Sequence, residues 1–262
     1  MKELNPCLEA AHRKALEVDG VTCLRQVLTN SEVLSLGAEI DACIQDPRQL
    51  LLDYGSNRKV INGFFLWTRS QALRQFLCDS SLPKIAAQLM RSKKINLLSD
   101  HLFSKEAETA DHVSPWHSDQ QNWIVKGCQV VTFWIALDHV TRESGAVQFI
   151  RGSHHWDFSY PGHYKVDENY EPISDIENKR SMFDIVHYDL QPGDMTAHYG
   201  YTLHFASGNH LPDRRRRGYA IRYTGDDVVY EPNSSFETPW PIELERGAKL
   251  DSSLFPVAFH GD

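Results

Sequence analysis

Two histidines and one aspartate are the residues of this chain whose types and spacing predict a metal site. His117 and Asp119 lie two positions apart, so on a β-strand their side chains would point to the same face of a sheet. His204 lies far downstream and would join them only through folding. Two imidazoles and one carboxylate leave coordination positions of an iron open, as in non-haem Fe(II) oxygenases. Zinc accepts the same ligands, so a zinc-dependent hydrolase is the alternative that this pattern leaves open.

Context decides which His-x-Asp pair is the candidate, because this spacing occurs four times in the chain. Only His117/Asp119 lies just upstream of a long strand-like run, residues 129–137, and has a distal histidine as a third ligand. His198 precedes His204 by six positions and would share its strand face, either as a neighbour of the ligands or as a rival ligand. His101 and His112 could approach the pocket from adjacent elements, although the surface is their default placement. The other three His-x-Asp pairs are interpreted as surface or half-buried histidines: His155/Asp157, His187/Asp189 and His260/Asp262.

Composition restricts the class of protein. The length of 262 residues and the 41% hydrophobic content suit a single soluble domain, and no apolar run approaches the ~18 residues that a membrane helix needs. The net charge of −8 argues against a nucleic-acid-binding surface. Five cysteines without CxxC pairs indicate reduced thiols. We therefore expect a cytoplasmic protein without membrane or nucleic-acid partners, and the sequence leaves its oligomeric state open.

The elements that would position these residues change in type along the chain. Residues 1–94 are predicted to be a helical buttress, with a helix capped at Asn30-Ser31 and further helices at 70–77 and 83–90. Between these helices, residues 50–66 are expected to form a loop and short strands. From about 95 to 225, short strand-like segments alternate with turns, which predicts a sandwich, barrel or jelly roll. The expected strands are residues 96–103, 129–137, 146–150, 185–190, 195–196, 203–206 and 219–223.

Two further segments have no clear place in that sheet. Residues 160–180 are polar, acidic and aromatic, and they are too long for a simple connection, so they form either a lid or a solvated loop. Residues 226–262 are rich in proline and aromatic residues, which predicts an irregular tail packed over the sheet or a partner.

An arginine downstream of His204 is a candidate ligand for an organic acid. A 2-oxo acid that chelates iron needs a cation for its far carboxylate, and the planar fork of arginine pairs with a carboxylate through two hydrogen bonds. Arg216 begins a strand-like run, and a residue there would project into a barrel beside the metal.

Five segments of the chain, in order, resemble the phytanoyl-CoA dioxygenase family of Fe(II)/2-oxoglutarate-dependent oxygenases. They extend over about residues 96–224, half of the chain. The resemblance implies a mainly β fold, a double-stranded β-helix or cupin-like jelly-roll barrel, with the N-terminal helices packed outside. The segments are residues 115–120, 145–156, 192–194, 204–209 and 216–223.

The resemblance also implies roles for individual residues. His117, Asp119 and His204 would bind Fe(II), and Trp134 would line the pocket of the co-substrate 2-oxoglutarate. With Asp119 present, the implied reaction is hydroxylation or a related oxidation of a small organic molecule by O2, with release of succinate and CO2. The family spacing favours Arg215 as the clamp for 2-oxoglutarate, whereas the strand register favours Arg216, which we predict.

The chain also departs from the family pattern. Arg151 stands where the family usually has a proline before Gly-Ser-His, and Phe205 stands where a glycine usually follows the distal histidine. An Fe(II)/2-oxoglutarate-dependent dioxygenase is the predicted function. The rivals are the zinc-dependent hydrolase and a non-catalytic jelly-roll binding protein.

Overall fold

Helices occupy much of the start of the chain and antiparallel strands most of the rest in this computed structural model, which describes residues 8, 10–46, 52–53, 59–159, 162–166, 169–233, 238 and 240–261. The helices are α1 (Ala10–Asp19), α2 (Asn30–Gln45), α3 (Gln71–Asp79) and α4 (Leu82–Met90). The strands of the first half are β1 (Val21–Leu24), β2 (Leu52–Asp53), β3 (Val60–Phe64), β4 (Lys94–Lys105), β5 (Ser114–His117), β6 (Val125–Lys126) and β7 (Val130–Ala136). The later strands are β8 (Val147–Ile150), β9 (His163–Val166), β10 (Asn169–Pro172), β11 (Ile185–His187), β12 (Met195–Tyr199), β13 (His204–Ala206), β14 (Arg216–Thr224), β15 (Val229–Tyr230) and β16 (Val257–His260).

Two antiparallel sheets contribute to the site described below. The major sheet has the order β1-β12-β7-β14-β4-β3-β2, and β16 pairs with the free part of β4. The minor sheet has the order β11-β8-β13-β5. Apart from β2 and β3, neighbouring strands in both sheets are distant in sequence, so both sheets depend on contacts between distant segments of the chain.

The helices begin where their side chains can cap them. Thr29 caps α2: its hydroxyl accepts a hydrogen bond from the Glu32 N–H at 3.3 Å, while the Glu32 carboxylate accepts one from the Thr29 N–H at 2.8 Å. The cap therefore lies one residue before the predicted Asn30. Ser70 caps α3 in the same way through the Leu73 N–H, and Pro83 lies in the first turn of α4, where it removes no helical hydrogen bond.

The major sheet has one apolar face and one face that borders a cavity. Alternate residues of its strands enter a core with the helices α2, α3 and α4. Strand residues of that core include Leu97, Phe133, Ile135, Ala197, Tyr219, Ile221 and Tyr223. The residues between them point to the opposite face, so the helices cover one side of the sheet and leave the other for a site.

The structure differs from the sequence prediction at both ends of the chain. In the N-terminal part, β1 pairs with β12 and was not predicted, whereas β3, which pairs with β4, lies in the segment 50–66 where short strands were expected. The C-terminal part is not wholly irregular, because β16 pairs with Lys94, Ile95 and Asn96 of β4. The physical reason is the length of β4: β3 pairs only with its second half, and β16 supplies hydrogen bonds to its first half.

Candidate metal centre

His117 and His204 lie opposite each other in the minor sheet. His117 ends β5, His204 begins β13, and the two residues are direct cross-strand partners with ring centroids 4.1 Å apart. Asp119 lies two residues beyond β5, where it precedes a short 3-10 helix, Gln120–Asn122. One atom from each of these three side chains lies within 4.8 Å of the other two. Among the described residues, this is the group of histidine, cysteine and acidic side chains that could hold a metal ion.

The structure corrects the reason given for the approach of Asp119. Its backbone is helical (φ −63°, ψ −44°), so it does not continue the strand of His117. The turn into the 3-10 helix brings the carboxylate back beside the imidazoles, and strand alternation does not. The Asp119 Oδ1 atom lies 3.5 Å from His117 Nε2 and 3.9 Å from His204 Nε2.

Hydrogen bonds to the backbone orient both imidazoles. His117 Nδ1 lies 2.7 Å from the carbonyl oxygen of Pro115, and His204 Nδ1 lies 3.0 Å from that of Thr202. A carbonyl only accepts hydrogen bonds, so in each ring Nδ1 carries the proton and donates it. The Nε2 lone pair is then free to face Asp119, which is the arrangement that metal-binding histidines use.

The charges of the group suit a cation. Burial opposes ionisation of Asp119, but the Arg222 guanidinium together with the imidazoles of His117 and His204 outweighs it and holds the pKa of the carboxyl well below its usual range. Burial and the nearby His117 lower the pKa of His204 to about 4, so this imidazole is neutral at pH 7. Burial also lowers the pKa of His117, but the contact with Asp119 raises it above the usual value.

Arg222 fixes the carboxylate of Asp119, and sequence reasoning did not give it a role. Its Nε and Nη2 atoms lie 3.4 and 3.3 Å from Asp119 Oδ2, so Oδ1 is left for the imidazoles. The guanidinium lies over the rings of Trp123, at 5.1 Å, and Phe64, at 5.9 Å. A signal existed in the sequence, because Arg222 lies six positions after Arg216 on one strand and therefore shares its face.

His198 is a neighbour of the three converging residues and does not belong to their group. Its ring lies 4.9 Å from that of His204 and 5.0 Å from that of Phe149. Both ring nitrogens are buried without a hydrogen-bond partner. Burial and the adjacent His204 lower its pKa well below the usual value, so the ring is neutral at pH 7.

A cavity of about 510 Å³ borders the three residues. Its wall combines residues of both sheets, including Thr132, Trp134, Ala220 and Arg222 of the major sheet. This volume lies within the range of small-molecule sites.

Arg216 and Trp134 line the cavity together. The Arg216 guanidinium lies 5.4 Å from the Trp134 ring, and its Nε and Nη2 atoms donate to the carbonyl oxygens of Ser144 and Gly145 at 3.2 and 3.0 Å. Arg215 instead forms an ion pair with Asp41 at 2.8 Å. The strand register therefore places Arg216, and not Arg215, in the cavity wall.

The other histidines of the sequence prediction divide into two groups. His187 and His155 lie away from the cavity: His187 is 4.0 Å from Asp189, and His155 contacts the carbonyl oxygen of Glu17. Asp262 lies outside the described residues. For His101 the default surface placement is wrong and the alternative, approach to the pocket, is correct: it is buried in the cavity wall between two aromatic rings, with ring centroids 3.6 Å away on each side. The two rings belong to Phe64 and Phe103. His101 is buried because β4 is long and its second half forms part of the barrel.

The described part of residues 160–180 packs behind the strands that carry His117 and His204. It contains β9, β10 and a 3-10 helix, Ile173–Met182. The Glu177 carboxylate accepts a hydrogen bond from Trp116 Nε1 at 2.7 Å, and the Arg180 guanidinium lies 5.7 Å from the Trp116 ring and 5.8 Å from the Phe205 ring. Because Trp116 and Phe205 directly adjoin the two histidines in sequence, this helix stabilises the strands from the side away from the cavity.

Comparisons with known proteins agree with this geometry. A family model described as phytanoyl-CoA dioxygenase (PhyH) matches residues 16–218. The multifunctional dioxygenase prhA of Penicillium brasilianum is 23% identical over 257 residues, which cover 88% of this chain and 77% of that protein.

Solved structures with a similar fold include two with 2-oxoglutarate bound. The epimerase SnoN, in complex with Fe3+, alpha ketoglutarate and nogalamycin RO, has a TM-score of 0.77 at 21% identity and covers 95% of this chain and 97% of its own. EctD from S. alaskensis, with 2-oxoglutarate and 5-hydroxyectoine, has a TM-score of 0.66 at 18% identity and covers 86% of this chain and 78% of its own. The predicted jelly-roll fold is confirmed.

Proposed function

Because this chain belongs to the phytanoyl-CoA dioxygenase family, we propose that His117, Asp119 and His204 bind Fe(II) and that Arg216 and Trp134 bind 2-oxoglutarate in the adjoining cavity. The chain is an Fe(II)/2-oxoglutarate-dependent dioxygenase, with iron as cofactor and 2-oxoglutarate and O2 as co-substrates. The observation that supports the residue assignment best is the convergence of the three donor atoms at the wall of the cavity that also contains Arg216.

The donor set fits an iron ion. It consists of an imidazole nitrogen that is neutral at pH 7, a second imidazole, and an ionised carboxylate, which are the ligand types of the two-histidine, one-carboxylate iron sites. The backbone hydrogen bonds of His117 and His204 fix the tautomer that such binding needs. Iron and 2-oxoglutarate, when bound, supply the oxidising chemistry with O2 and release succinate and CO2.

The protein contributes position and charge. Arg222 favours the ionised form of Asp119. It contacts the Oδ2 atom of that carboxylate, so the Oδ1 atom would be left for the metal. Arg216 would offer its guanidinium to the distal carboxylate of 2-oxoglutarate. The carbonyl oxygens of Ser144 and Gly145 hold this guanidinium, and the Trp134 ring lies 5.4 Å from it.

The primary substrate is proposed to be a small organic molecule, since the structures of SnoN and EctD contain nogalamycin RO and 5-hydroxyectoine and the cavity of about 510 Å³ must accommodate both the substrate and 2-oxoglutarate. Cys23, Cys43, Cys78 and Cys128 are free thiols. They agree with a reducing compartment, and we propose the cytoplasm. Among the described residues, no helix has both the length and the apolar character required to cross a membrane.

The test is binding of Fe(II) and 2-oxoglutarate under anaerobic conditions. We expect a visible metal-to-ligand charge-transfer band that appears only when both are present. His204→Ala should abolish the band, whereas His187→Ala, in an exposed His-x-Asp pair, should retain it. Absence of the band and of keto-acid affinity in the wild-type protein would refute the assignment. Turnover of a substrate with zinc and without O2 would instead favour the hydrolase.

A further inference from the structure

Lys105 is a buried cation that borders the same cavity as Arg216. It ends β4, Arg216 begins β14, and the two residues are direct cross-strand partners. They point to the same face of the sheet, and their exposed fractions are 3% for Lys105 and 2% for Arg216. Both side chains line the cavity. Two buried basic groups at adjacent positions of one sheet disfavour each other's positive charge, and an anion beside them would stabilise both charges.

Within the described residues, no carboxylate forms an ion pair with Lys105 or Arg216. The Lys105 Nζ atom donates to the carbonyl oxygens of His112 at 2.7 Å and Ser207 at 2.9 Å, which accept its hydrogen bonds without neutralising its charge. Asp138 is near enough to oppose the lowering of the Arg216 pKa by burial, but this carboxylate forms its ion pair with Arg217. The neighbouring arginines provide the contrast, because each has an acidic partner: Arg214 pairs with Asp213, Arg215 with Asp41, and Arg217 with Asp41 and Asp138.

We propose that Lys105 is a second cationic ligand for the distal carboxylate of 2-oxoglutarate, beside Arg216. The inference rests on the proposed function, because it assumes that 2-oxoglutarate binds with its distal carboxylate at Arg216. A lysine has three N–H donors, and the two carbonyl oxygens occupy two of them. With Lys105 as a second cation, the site selects keto acids that carry a second carboxylate.

The protonation of Lys105 provides an independent signature. Burial, and then the nearby positive charge of Arg216, lower the pKa of Lys105 to about 7. The groups that face it are Arg216 from β14, the carbonyl oxygens of His112 and Ser207 from the two adjoining segments, and Val60 from β3. None is an acid, so a bound carboxylate raises the pKa of Lys105. Above pH 7, binding of the dicarboxylate is then accompanied by the uptake of a proton by Lys105.

The test compares two keto acids that differ only at the distal end. Pyruvate has the same metal-chelating group as 2-oxoglutarate but lacks the second carboxylate. Dissociation constants are measured for both with the Fe(II)-loaded protein under anaerobic conditions. Lys105→Met should weaken binding of 2-oxoglutarate at least tenfold and change that of pyruvate less than twofold. Lys126→Met, at an exposed position, should change neither.

The pH dependence supplies the second readout. In the wild-type protein, the ratio of the 2-oxoglutarate and pyruvate affinities should fall up to tenfold per pH unit above about pH 7, because one proton is linked to binding of the dicarboxylate alone. Protonation of the metal ligands affects both keto acids and cancels in the ratio. Lys105→Arg, which keeps the charge but does not titrate in this range, should retain 2-oxoglutarate binding and lose this slope, and it remains informative if Lys105→Met does not fold.

Three outcomes would overturn the inference. Equal weakening of both keto acids in Lys105→Met would make Lys105 a structural link between the segments of His112 and Ser207. Unchanged binding of 2-oxoglutarate would remove Lys105 from the site. A constant affinity ratio between pH 6 and 9 in the wild-type protein would contradict the proton uptake. Failure of the proposed function is distinguishable, since the wild-type protein would then bind neither keto acid.

Discussion

Alternate residues of β14 belong to two different surroundings. Those that point toward the helices are fully buried in the apolar core, and they are Tyr219, Ile221 and Tyr223. Those that point the other way line the cavity, and they are Arg216, Ala220 and Arg222. One strand thus contributes equally to the part of the molecule that stabilises the fold and to the part that is proposed to bind ligands.

Hydrogen bonding separates these two faces as well. We call the side of β14, and of the major sheet around it, that points toward the helices the outer face and the side that lines the cavity the inner face. On the outer face, the Tyr219 hydroxyl donates to Asp100 Oδ2 at 2.5 Å and the Tyr223 hydroxyl donates to the carbonyl oxygen of Leu77 at 2.6 Å. On the inner face, one row of cross-strand neighbours retains buried polar atoms without partners, at a cost of about 1–3 kcal/mol for each group. The row consists of His198, Thr132 Oγ1 and Arg222 Nη1. The outward tyrosine hydroxyls of β14 are therefore satisfied, whereas the inner row keeps polar groups that lower stability; on the outer face, Asp100 Oδ1 is also buried without a partner.

The adjacent residues Arg222 and Tyr223 test this comparison most strongly. Arg222→Met removes the cation beside Asp119 and leaves a buried carboxylate unpaired, so the unliganded protein should lose about 3–5 kcal/mol of unfolding free energy. Metal affinity should also fall about 10–100-fold, because the carboxylate loses its orientation. Tyr223→Phe should cost about 1 kcal/mol and leave metal affinity unchanged. Chemical denaturation and metal titration measure both effects, and equal metal affinities in the two variants would remove the distinction between the faces.

Asp100 is the exception on the outer face and offers a test by pH. Burial raises its pKa from 3.8 to about 6, although the hydrogen bonds from Tyr219 and the Trp67 N–H favour the ionised form and lower the pKa. Since the folded-state pKa lies above the unfolded value, the stability from the protonated carboxyl is present below about pH 4 and is lost as pH rises toward 6. We expect the stability of Asp100→Asn relative to the wild type to increase by about 3 kcal/mol across this range, at 1.36 kcal/mol per pKa unit.

Urea denaturation of both proteins at several pH values measures the effect. Groups other than Asp100 titrate in both proteins and cancel in the difference. A difference that does not change between pH 4 and 7 would show that Asp100 is ionised throughout, and that the outer face contains a stabilised carboxylate.

Local patterns predicted the strands well because alternation, turns and caps depend on neighbours in sequence. The predicted strand at residues 219–223 forms the centre of β14, and register correctly placed Arg216 on the cavity side. Assigning a role to Arg222 required knowledge of which side chain it meets across the barrel. The burial of Lys105 in the cavity wall was not predicted either, because a lysine at the end of a strand is normally exposed.

The approach of Asp119 to the histidines was predicted correctly for a wrong reason. Its backbone turns into a 3-10 helix after β5, and nothing in the His-x-Asp spacing distinguishes that turn from a continued strand. The pairing of β16 with β4 was also missed, because it depends on which part of β4 is left unpaired by β3. Contacts between segments distant in sequence account for each of these differences.

Gly218 tests whether the inner face is shaped for a ligand as well as charged for one. A Cβ atom at this position would lie 1.9 Å from Trp134 Cζ2, so Gly218→Ala must displace the indole beside Arg216. We expect a loss of about 1–3 kcal/mol of stability and a clear loss of 2-oxoglutarate affinity. Metal affinity should not change, because the three residues proposed to bind the metal lie on or next to the strands of the minor sheet. Calorimetric titration of each ligand separates the two effects.

Gly37 is the matched control on the helical side. An added Cβ there lies 3.5 Å from Arg217 Nη1, which is ordinary contact, and alanine favours the α2 helix. Gly37→Ala should therefore raise stability by up to about 1 kcal/mol without an effect on ligands. Loss of 2-oxoglutarate affinity in this variant would show that the helices influence the cavity, which the comparison of faces does not allow.

Thr132 tests the cost of the inner face with the smallest change. Its buried hydroxyl has no hydrogen-bond partner, so Thr132→Val, which keeps the shape, should raise the stability of the unliganded protein by about 1 kcal/mol. Thr202→Val makes the same change where the hydroxyl donates to the carbonyl oxygen of Gly20 at 2.8 Å, and it should lower stability by a similar amount. Thermal unfolding of both variants measures the signs. Opposite signs mean that the protein retains the Thr132 hydroxyl at the expense of stability, as expected if a bound ligand is its partner, whereas a loss in both variants would mean that the inner face is as well satisfied as the outer one.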